Sequence, residues 1–247
     1  MKEAIVKDVV IGFNEPRLYI LAAATVIFYL ILLRVVARQT PKTIDKITNT
    51  LGVLFLLLSA GLQVSMLMGN TMPWTIHKSI PLHLCQINFI LTGINFLIRK
   101  RWLWEISTFW GLIGGIHAFI TPQLTMGDAP YFLFFYYFQH GALIFMPIYL
   151  WKFYGFRFRK WGWLRVYFIT LGYAVFTFTI NWILNTFFPG DYMANYFYVS
   201  APPKADNPLI MGGWPWYLIP SQIIFILHVV IINMFFRWQE KQRPLWV

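Results

Sequence analysis

Apolar stretches long enough to cross a bilayer recur along this 247-residue chain, from Leu18 to Phe236. A membrane-spanning helix needs ~20 predominantly apolar residues. Hydrophobic residues make up 58% of the chain and charged residues only 12%, which excludes a soluble enzyme, a disordered protein and a disulfide-stapled secreted domain. The pattern predicts an all-α fold, a polytopic membrane helical bundle that forms one domain over residues 1–247. About seven transmembrane helices are predicted, at about 18–36, 50–68, 79–98, 102–120, 131–151, 162–184 and 216–236.

Lysine and arginine are distributed unevenly between the two ends of the predicted helices. Of the 20 Lys and Arg residues, 15 lie on the side of the membrane where spans one, three, five and seven end, and five lie on the other side. The more basic side of a multi-pass protein faces the cytoplasm. We therefore expect the N-terminus outside and the C-terminus inside, in the plasma (cytoplasmic) membrane. The net charge of +11 then reflects topology and attraction to anionic lipid rather than nucleic-acid binding.

The longest predicted loop, residues 185–215, contains five prolines, which exclude a long helix there. Loops of this length are usually functional or disordered. Its tyrosine and tryptophan side chains suit the headgroup level of a membrane. The loop is interpreted either as a lid that lies at the interface or as a plain aromatic belt.

Spans two to seven each carry a polar side chain in the half predicted to face outward. Polar groups inside a membrane are costly and usually face the bundle interior or a wet cavity. A layer of polar groups on six helices therefore predicts a polar cavity that opens outward. No carboxylate belongs to this layer, which argues against paired-acid hydrolysis and against carboxylate proton relays. Its members are Gln63, His83, Cys85, His117, Gln139, His140, Asn181 and Gln222.

Cys85, the one cysteine of the chain, is the candidate nucleophile of this layer. A thiol with a histidine base and an oxyanion-stabilising donor is the minimum set for acyl chemistry. The run Ser79-Ile80-Pro81 predicts a helix start with Ser79 as cap, which would place Cys85 just beyond the first turn. His83 is only two residues away and points to another face, whereas Asn88 shares the face of Cys85.

The base for Cys85 must therefore come from another helix, with His140 preferred and His117 second. A lone cysteine is usually a small core residue, and a membrane histidine is often a partner in an interhelical hydrogen bond. Zinc or haem ligation by His83, Cys85, His117 and His140 is a rival interpretation. It lacks an H-x-x-x-H or H-E-x-x-H pair and an acidic partner for the imidazoles, so no metal and no cofactor are predicted.

Several short motifs occur in a fixed order along the chain. They are Pro81-Leu82-His83-Leu84-Cys85, Thr121-Pro122, Gln139-His140-Gly141, Asn195-Tyr196-Phe197-Tyr198 with Pro202-Pro203, and Gly213-Trp214-Pro215-Trp216-Tyr217. This set resembles the YwaF-like bacterial integral membrane proteins. That family looks related to an animal cysteine-dependent membrane acyltransferase that remodels ether phospholipids, and more distantly to the androgen-induced-gene type of membrane hydrolases. The resemblance implies Cys85 as nucleophile and His140 as base.

Three functional hypotheses follow. In the first, the protein is a membrane-embedded lipid acyltransferase or lipid-ester hydrolase with a Cys85–His140 acyl-enzyme mechanism and a membrane lipid, a phospholipid or acyl ester, as its partner. In the second, the protein is a transporter or binding protein for a small molecule or lipid, without catalysis. The third is a His/Cys metal-binding membrane protein. In the first, the residues assigned to the oxyanion or the substrate are Asn181, Gln139, His83, His117, Asn88 and Gln222.

Overall fold

A computed structural model describes residues 8–68, 74–205 and 210–242. Seven α-helices occur in these residues, and six of them are long and apolar enough to cross a membrane. The prediction of a multi-pass helical membrane protein is thereby confirmed. The helices are α1 Pro16–Val36, α2 Pro41–Leu67, α3 Leu84–Ile98, α4 Arg101–Ile120, α5 Pro130–Phe153, α6 Gly162–Phe187 and α7 Leu218–Gln242.

Proline marks where three of the helices begin, because its fixed φ suits the first helical position and its missing N–H has no partner there anyway. Pro16, Pro41 and Pro130 open α1, α2 and α5. Thr40 also caps α2, since its side chain accepts from the backbone N–H of Thr43. Helix α3 has 15 residues, about 22 Å at 1.5 Å per residue, so it is shorter than the ~30 Å hydrocarbon core.

The predicted start of the third span at Ser79 is wrong, because α3 begins at Leu84 after the N-cap His83. Side chains from other segments hold the preceding backbone in a non-helical path. The hydroxyl of Tyr196 donates to the carbonyl of Ile76 at 2.8 Å and accepts from the N–H of Ile80 at 3.2 Å. The hydroxyl of Tyr173 donates to the carbonyl of Leu82 at 2.7 Å. These tertiary bonds outweigh the local helix-start signal.

Helices α3, α4 and α5 form the centre of the bundle, and their facing sides carry most of its buried side chains. At one end, the buried carboxylate of Glu105 on α4 accepts from the Nε and Nη2 atoms of Arg159 at 2.8 and 2.6 Å and from its backbone N–H at 2.6 Å. These three charge-assisted hydrogen bonds satisfy a buried charge that would be costly alone. They join the α5–α6 connection to α4.

The opposite end of the bundle is built from the connecting segments. Residues Val9–Val10 (β1) pair antiparallel with Gln123–Leu124 (β2). The long connection between α6 and α7 contains a 3₁₀ turn at Tyr196–Tyr198, and Tyr196 in it is fully buried. This segment therefore packs into the end of the bundle, where it covers the site described next. Pro208, one of the prolines on which the loop prediction rests, lies outside the described residues.

Candidate functional site

A cavity of about 750 Å³ lies between the helices at this end of the bundle. Its wall is mostly apolar, and its polar residues come from α3 to α7 and from the loops. Six of the eight predicted site residues line it, so the polar residues that hydropathy placed at one depth do largely meet. These six are His83, Cys85, His117, Gln139, His140 and Gln222.

Cys85 is the second residue of α3 and is half-buried in the cavity wall. It lies within the first turn of the helix, nearer the N-terminus than predicted, because α3 begins late. The positive end of the helix dipole acts within this turn and favours a thiolate. On the α4 side Cys85 faces Gly114, where a β-carbon would be 3.5 Å from Sγ.

Gln139 and His140 are adjacent residues of α5. Gln139 contacts α3 at Cys85, and His140 supplies an imidazole to the cavity. Gln139 donates its Nε2 to the carbonyl of Cys85 at 3.0 Å, which ties α5 to α3 at the thiol. His140 donates Nδ1–H to the carbonyl of Tyr136 at 2.7 Å. Because a carbonyl can only accept, the proton of the neutral ring is on Nδ1, and Nε2 keeps its lone pair. Both side chains are buried and line the cavity.

The structure does not bring Asn181 or Asn88 to the cavity wall. Asn181 on α6 is fully buried, and its amide accepts from the N–H of Tyr196 at 2.9 Å and donates to the carbonyl of Tyr196 at 3.0 Å. Asn88 is also fully buried and donates to the carbonyl of Ser107 at 3.2 Å. We therefore interpret Asn181 as the anchor of the loop and Asn88 as a link between α3 and α4.

Of the remaining predicted polar residues, Gln63 and His83 pack against neighbouring segments, and His117 lies in the part of the cavity next to α7. Gln63 donates to the carbonyl of Ser79 at 2.9 Å and supports the segment before α3. The ring of His83 packs against those of Tyr196 and Tyr198, with centroids 5.3 and 5.2 Å apart. His117 on α4 meets His228 on α7, with ring centroids 5.2 Å apart.

Two tyrosines of the cavity wall were missed at the sequence level. Tyr136 and Tyr198 line the cavity together with Cys85. The Tyr136 hydroxyl already donates to the carbonyl of Ala118 at 3.1 Å. Burial is the main cause that raises the pKa of Tyr198 above its usual range, with smaller contributions from Cys85 and Asp8. Its phenol therefore stays protonated and can act as a donor at neutral pH.

The backbone at Tyr198 is held in an unusual conformation. Phe197 and Tyr198 have φ values of 59° and 52°, in the left-handed region that non-glycine residues seldom adopt. Such conformations persist where the surroundings impose them. The Asn195 side chain accepts from the N–H groups of Ser200 and Ala201 at 3.0 Å each, and the Tyr217 hydroxyl donates to the Tyr198 carbonyl. The motif Asn195-Tyr196-Phe197-Tyr198 was the available sequence signal.

Replacing Asn181 with leucine is expected to release this loop. Tyr196 would lose the partners of both its backbone groups, and each unsatisfied buried group costs about 1–3 kcal/mol. We expect a lower apparent Tm in detergent and faster proteolysis within residues 188–217. Thr179→Val on the same helix is the control, because the Thr179 hydroxyl bonds only to the Val175 carbonyl on an exposed face. Equal protease resistance of the Asn181 and Thr179 variants would contradict this anchoring role.

Two adjacent glycines of α4 allow neighbouring helices to pack closely at the site. Gly115 packs against α5, where a β-carbon would lie 2.6 Å from Cγ1 of Ile144 and 3.1 Å from the carbonyl oxygen of His140. Gly114 faces Cys85 instead, at an ordinary contact distance. Small residues let membrane helices approach closely, and here they bring α3 and α5 against α4 at the level of the thiol and the imidazole.

This difference predicts opposite outcomes for neighbouring substitutions. Gly115→Ala is expected to destabilise the protein by about 1–3 kcal/mol, because overpacking displaces α5. Gly114→Ala should be neutral or slightly stabilising, since alanine favours a helix over glycine by ~1 kcal/mol. Thermal unfolding of the two variants in one detergent checks this. Similar shifts in Tm would mean that the α4–α5 packing described here is wrong.

Within residues 8–68, 74–205 and 210–242, no group of three His, Cys, Asp or Glu side chains is close enough together to hold a metal ion. The rival ligand set of His83, Cys85, His117 and His140 is thus not gathered into one centre, although all four line the cavity.

The sequence model of the TMEM164 family matches residues 12–233. The chain belongs to the TMEM164 family. The match includes every residue of the cavity wall, so the site described here lies wholly within the part of the chain that the TMEM164 family shares. No curated protein and no solved structure matches the chain. The narrower resemblance to YwaF-like bacterial proteins stays a prediction.

Proposed function

We propose that this protein is a membrane-embedded lipid acyltransferase or lipid-ester hydrolase in which Cys85 is the nucleophile and His140 the base. The observation that carries the proposal is that both residues line one largely apolar cavity inside a membrane-spanning bundle. An apolar wall with a few converging polar groups is typical of a small-molecule site. Its apolar character suits an acyl chain, and its thiol suits an ester carbonyl.

The first half of the reaction would acylate the enzyme. Nε2 of His140 takes the thiol proton, and the Cys85 thiolate attacks the carbonyl carbon of a lipid ester. The tetrahedral intermediate collapses as the ester C–O bond breaks. The alcohol leaves with the proton from the imidazolium, and the acyl group stays on sulfur as a thioester. The bond from His140 Nδ1 to the Tyr136 carbonyl holds the tautomer that this step needs.

The second half would transfer the acyl group. An acceptor hydroxyl, from another lipid or from water, gives its proton to His140 and attacks the thioester carbonyl. The C–S bond breaks, the new ester or free acid leaves, and the thiolate recovers the proton from His140. A lipid acceptor makes the protein a transferase, and water makes it a hydrolase.

Two donors near Cys85 are suited to stabilise the oxyanion. One is the backbone N–H of Cys85, which is among the N–H groups that a helix leaves without partners in its first turn. The other is the Tyr198 phenol, kept protonated by burial. Preorganised donors of this kind usually supply the largest single share of stabilisation in acyl transfer. Gln139 is a positioning residue instead, because its Nε2 already donates to the Cys85 carbonyl.

Intact-mass spectrometry after incubation with mixed phospholipids tests the proposal. We expect an acyl adduct that hydroxylamine removes, present on the native protein and absent from Cys85→Ala. Trapping at short times and low temperature guards against rapid turnover. No adduct, together with saturable lipid binding that is unchanged in Cys85→Ala, would instead establish the carrier function that the same cavity could serve.

We further propose the plasma membrane as its location, with the N-terminus and the cavity end outside. The asymmetry of Lys and Arg between the two ends supports this orientation. The cavity end then lies at the level of the outer leaflet. Labelling of single cysteines introduced at the two ends of a Cys85→Ala background, with an impermeant maleimide on intact cells, checks it.

A further inference from the structure

The cavity wall is incomplete on one flank of the bundle. Five residues of α6 line the cavity: Thr170, Leu171, Ala174, Val175 and Phe178. Three of them are also solvent-exposed, with Leu171 at 40%, Val175 at 61% and Phe178 at 41%. We interpret exposed wall residues on a membrane-spanning helix as one edge of an opening in the wall.

The other edge of this opening is α7. Its residues Leu218, Gln222 and Phe225 line the cavity across from α6. The packing of α7 is concentrated at its far end, where the Phe236 ring meets Trp104, Trp151 and Phe158 with centroids 5.9, 5.8 and 5.2 Å apart. Closer to the cavity, the Phe225 ring meets that of Tyr167 on α6, with centroids 6.3 Å apart. On the loop side of this contact, the cavity-lining residues of α6 and α7 border a seam between the two helices.

The depth of this seam defines what it faces. Leu171 lies nine residues after Gly162 and Phe178 nine residues before Phe187, the two ends of α6. Each is therefore about 14 Å from an end of the helix, which is the level of the hydrocarbon core. Because α6 and α7 both qualify as membrane spans, the seam opens toward lipid acyl chains and away from water.

We propose that the seam between α6 and α7 is a lateral opening through which the acyl chain of a bilayer lipid enters the cavity. The use of this opening by an acyl ester rests on the proposed function, which makes Cys85 the attacking group, whereas the opening itself does not. The apolar α6 side chains hold the chain near mid-membrane.

The position of Cys85 fits an ester that reaches it from this direction. The thiol is at the loop end of α3, whereas the seam is near the middle of α6. Lipid esters lie at the boundary between the hydrocarbon core and the headgroups, with their chains directed toward mid-membrane. A chain lying in the seam thus points its carbonyl toward Cys85.

The single cysteine of the chain allows a direct test that needs no catalysis. We would measure the rate of Cys85 alkylation in lipid nanodiscs with two reagents, a long-chain N-alkylmaleimide that partitions into the bilayer and a small charged maleimide that stays in water. Val175→Trp narrows the seam, with Ala174→Leu as a milder second variant. Phe176→Trp is the matched control, because Phe176 is 49% exposed on the same helix and is not among the residues that line the cavity.

We expect Val175→Trp to slow the alkyl reagent roughly tenfold, the effect of ~1.4 kcal/mol of added barrier, while the charged reagent and the Phe176→Trp control change little. Phe178→Ala should speed the alkyl reagent. Equal slowing of both reagents, no effect on either, or no alkyl labelling of the native protein would overturn the opening. If Cys85→Ala keeps full lipid turnover while Val175→Trp still blocks labelling, the proposed function fails and the opening stands.

Discussion

Replacing Cys85 with alanine is expected to lower kcat/KM for acyl transfer by about 10⁴-fold or more, because a covalent mechanism has no route without its nucleophile. Lipid binding should change little, since the substitution removes one sulfur from a half-buried side chain. Release of radiolabelled or fluorescent acyl chains from defined phospholipids in nanodiscs measures the first quantity. Retention of the uncleaved lipid measures the second.

Ser221→Ala is the matched control for this variant. Ser221 also lines the cavity, and its hydroxyl donates to the carbonyl of Tyr217 at 2.7 Å. Removing it takes one heavy atom from the same cavity without touching the thiol, so turnover should stay within a few-fold of native. If Cys85→Ala retains native turnover on every phospholipid tested, Cys85 is a packing residue and the proposed mechanism is wrong.

Replacing His140 with glutamine is expected to slow acyl transfer by about 10²–10⁴-fold, the usual contribution of a general base. Alkylation of Cys85 gives a second measurement that does not depend on turnover. The variant should react more slowly than the native protein near neutral pH, because the imidazole no longer withdraws the thiol proton. The difference should shrink as pH rises, since hydroxide then generates the thiolate in both proteins.

His228 supplies an internal control for His140. Its Nδ1 donates to the carbonyl four residues earlier, Ile224, at 2.7 Å, as the Nδ1 of His140 does to Tyr136. Both rings line the cavity, but His228 lies on α7 beside His117. His228→Gln should therefore leave the pH profile of Cys85 alkylation unchanged. A similar loss in both variants would assign the effect to general packing of the cavity and would remove His140 as the base.

The sequence predicted the depth of the polar residues in the membrane, but it did not predict which residues they contact. Hydropathy located the helices because the backbone N–H and C=O groups of a segment in lipid must hydrogen-bond to one another, as they do within a helix. The same spans placed eight polar residues at a common level, and six of these line the cavity. Asn181 lies at a similar level, yet its amide is bonded to Tyr196. Depth alone cannot tell a residue that lines a cavity from one that holds the loop above it.

The residues that sequence analysis missed depend on contacts between distant segments. Tyr198 lines the cavity with Cys85 while Asn195 and Tyr217 hold a left-handed backbone that its own residue type disfavours. The late start of α3 likewise depends on Tyr173 and Tyr196. Local signals predicted a helix start at Ser79 and gave no indication of the Tyr198 conformation, since the hydrogen bonds of Tyr217 and Tyr196 join residues 19 and 120 positions apart.

By itself, the amino-acid sequence determined that this chain crosses a membrane repeatedly, that its polar groups concentrate at one level, and that one thiol is available for chemistry. Those properties follow from the free energy of placing each side chain at a given depth in lipid. Only the tertiary structure decided which polar groups face one another and where the cavity opens. Helix rotation and the seam between α6 and α7 depend on how whole helix surfaces pack, and no single stretch of sequence contains that information.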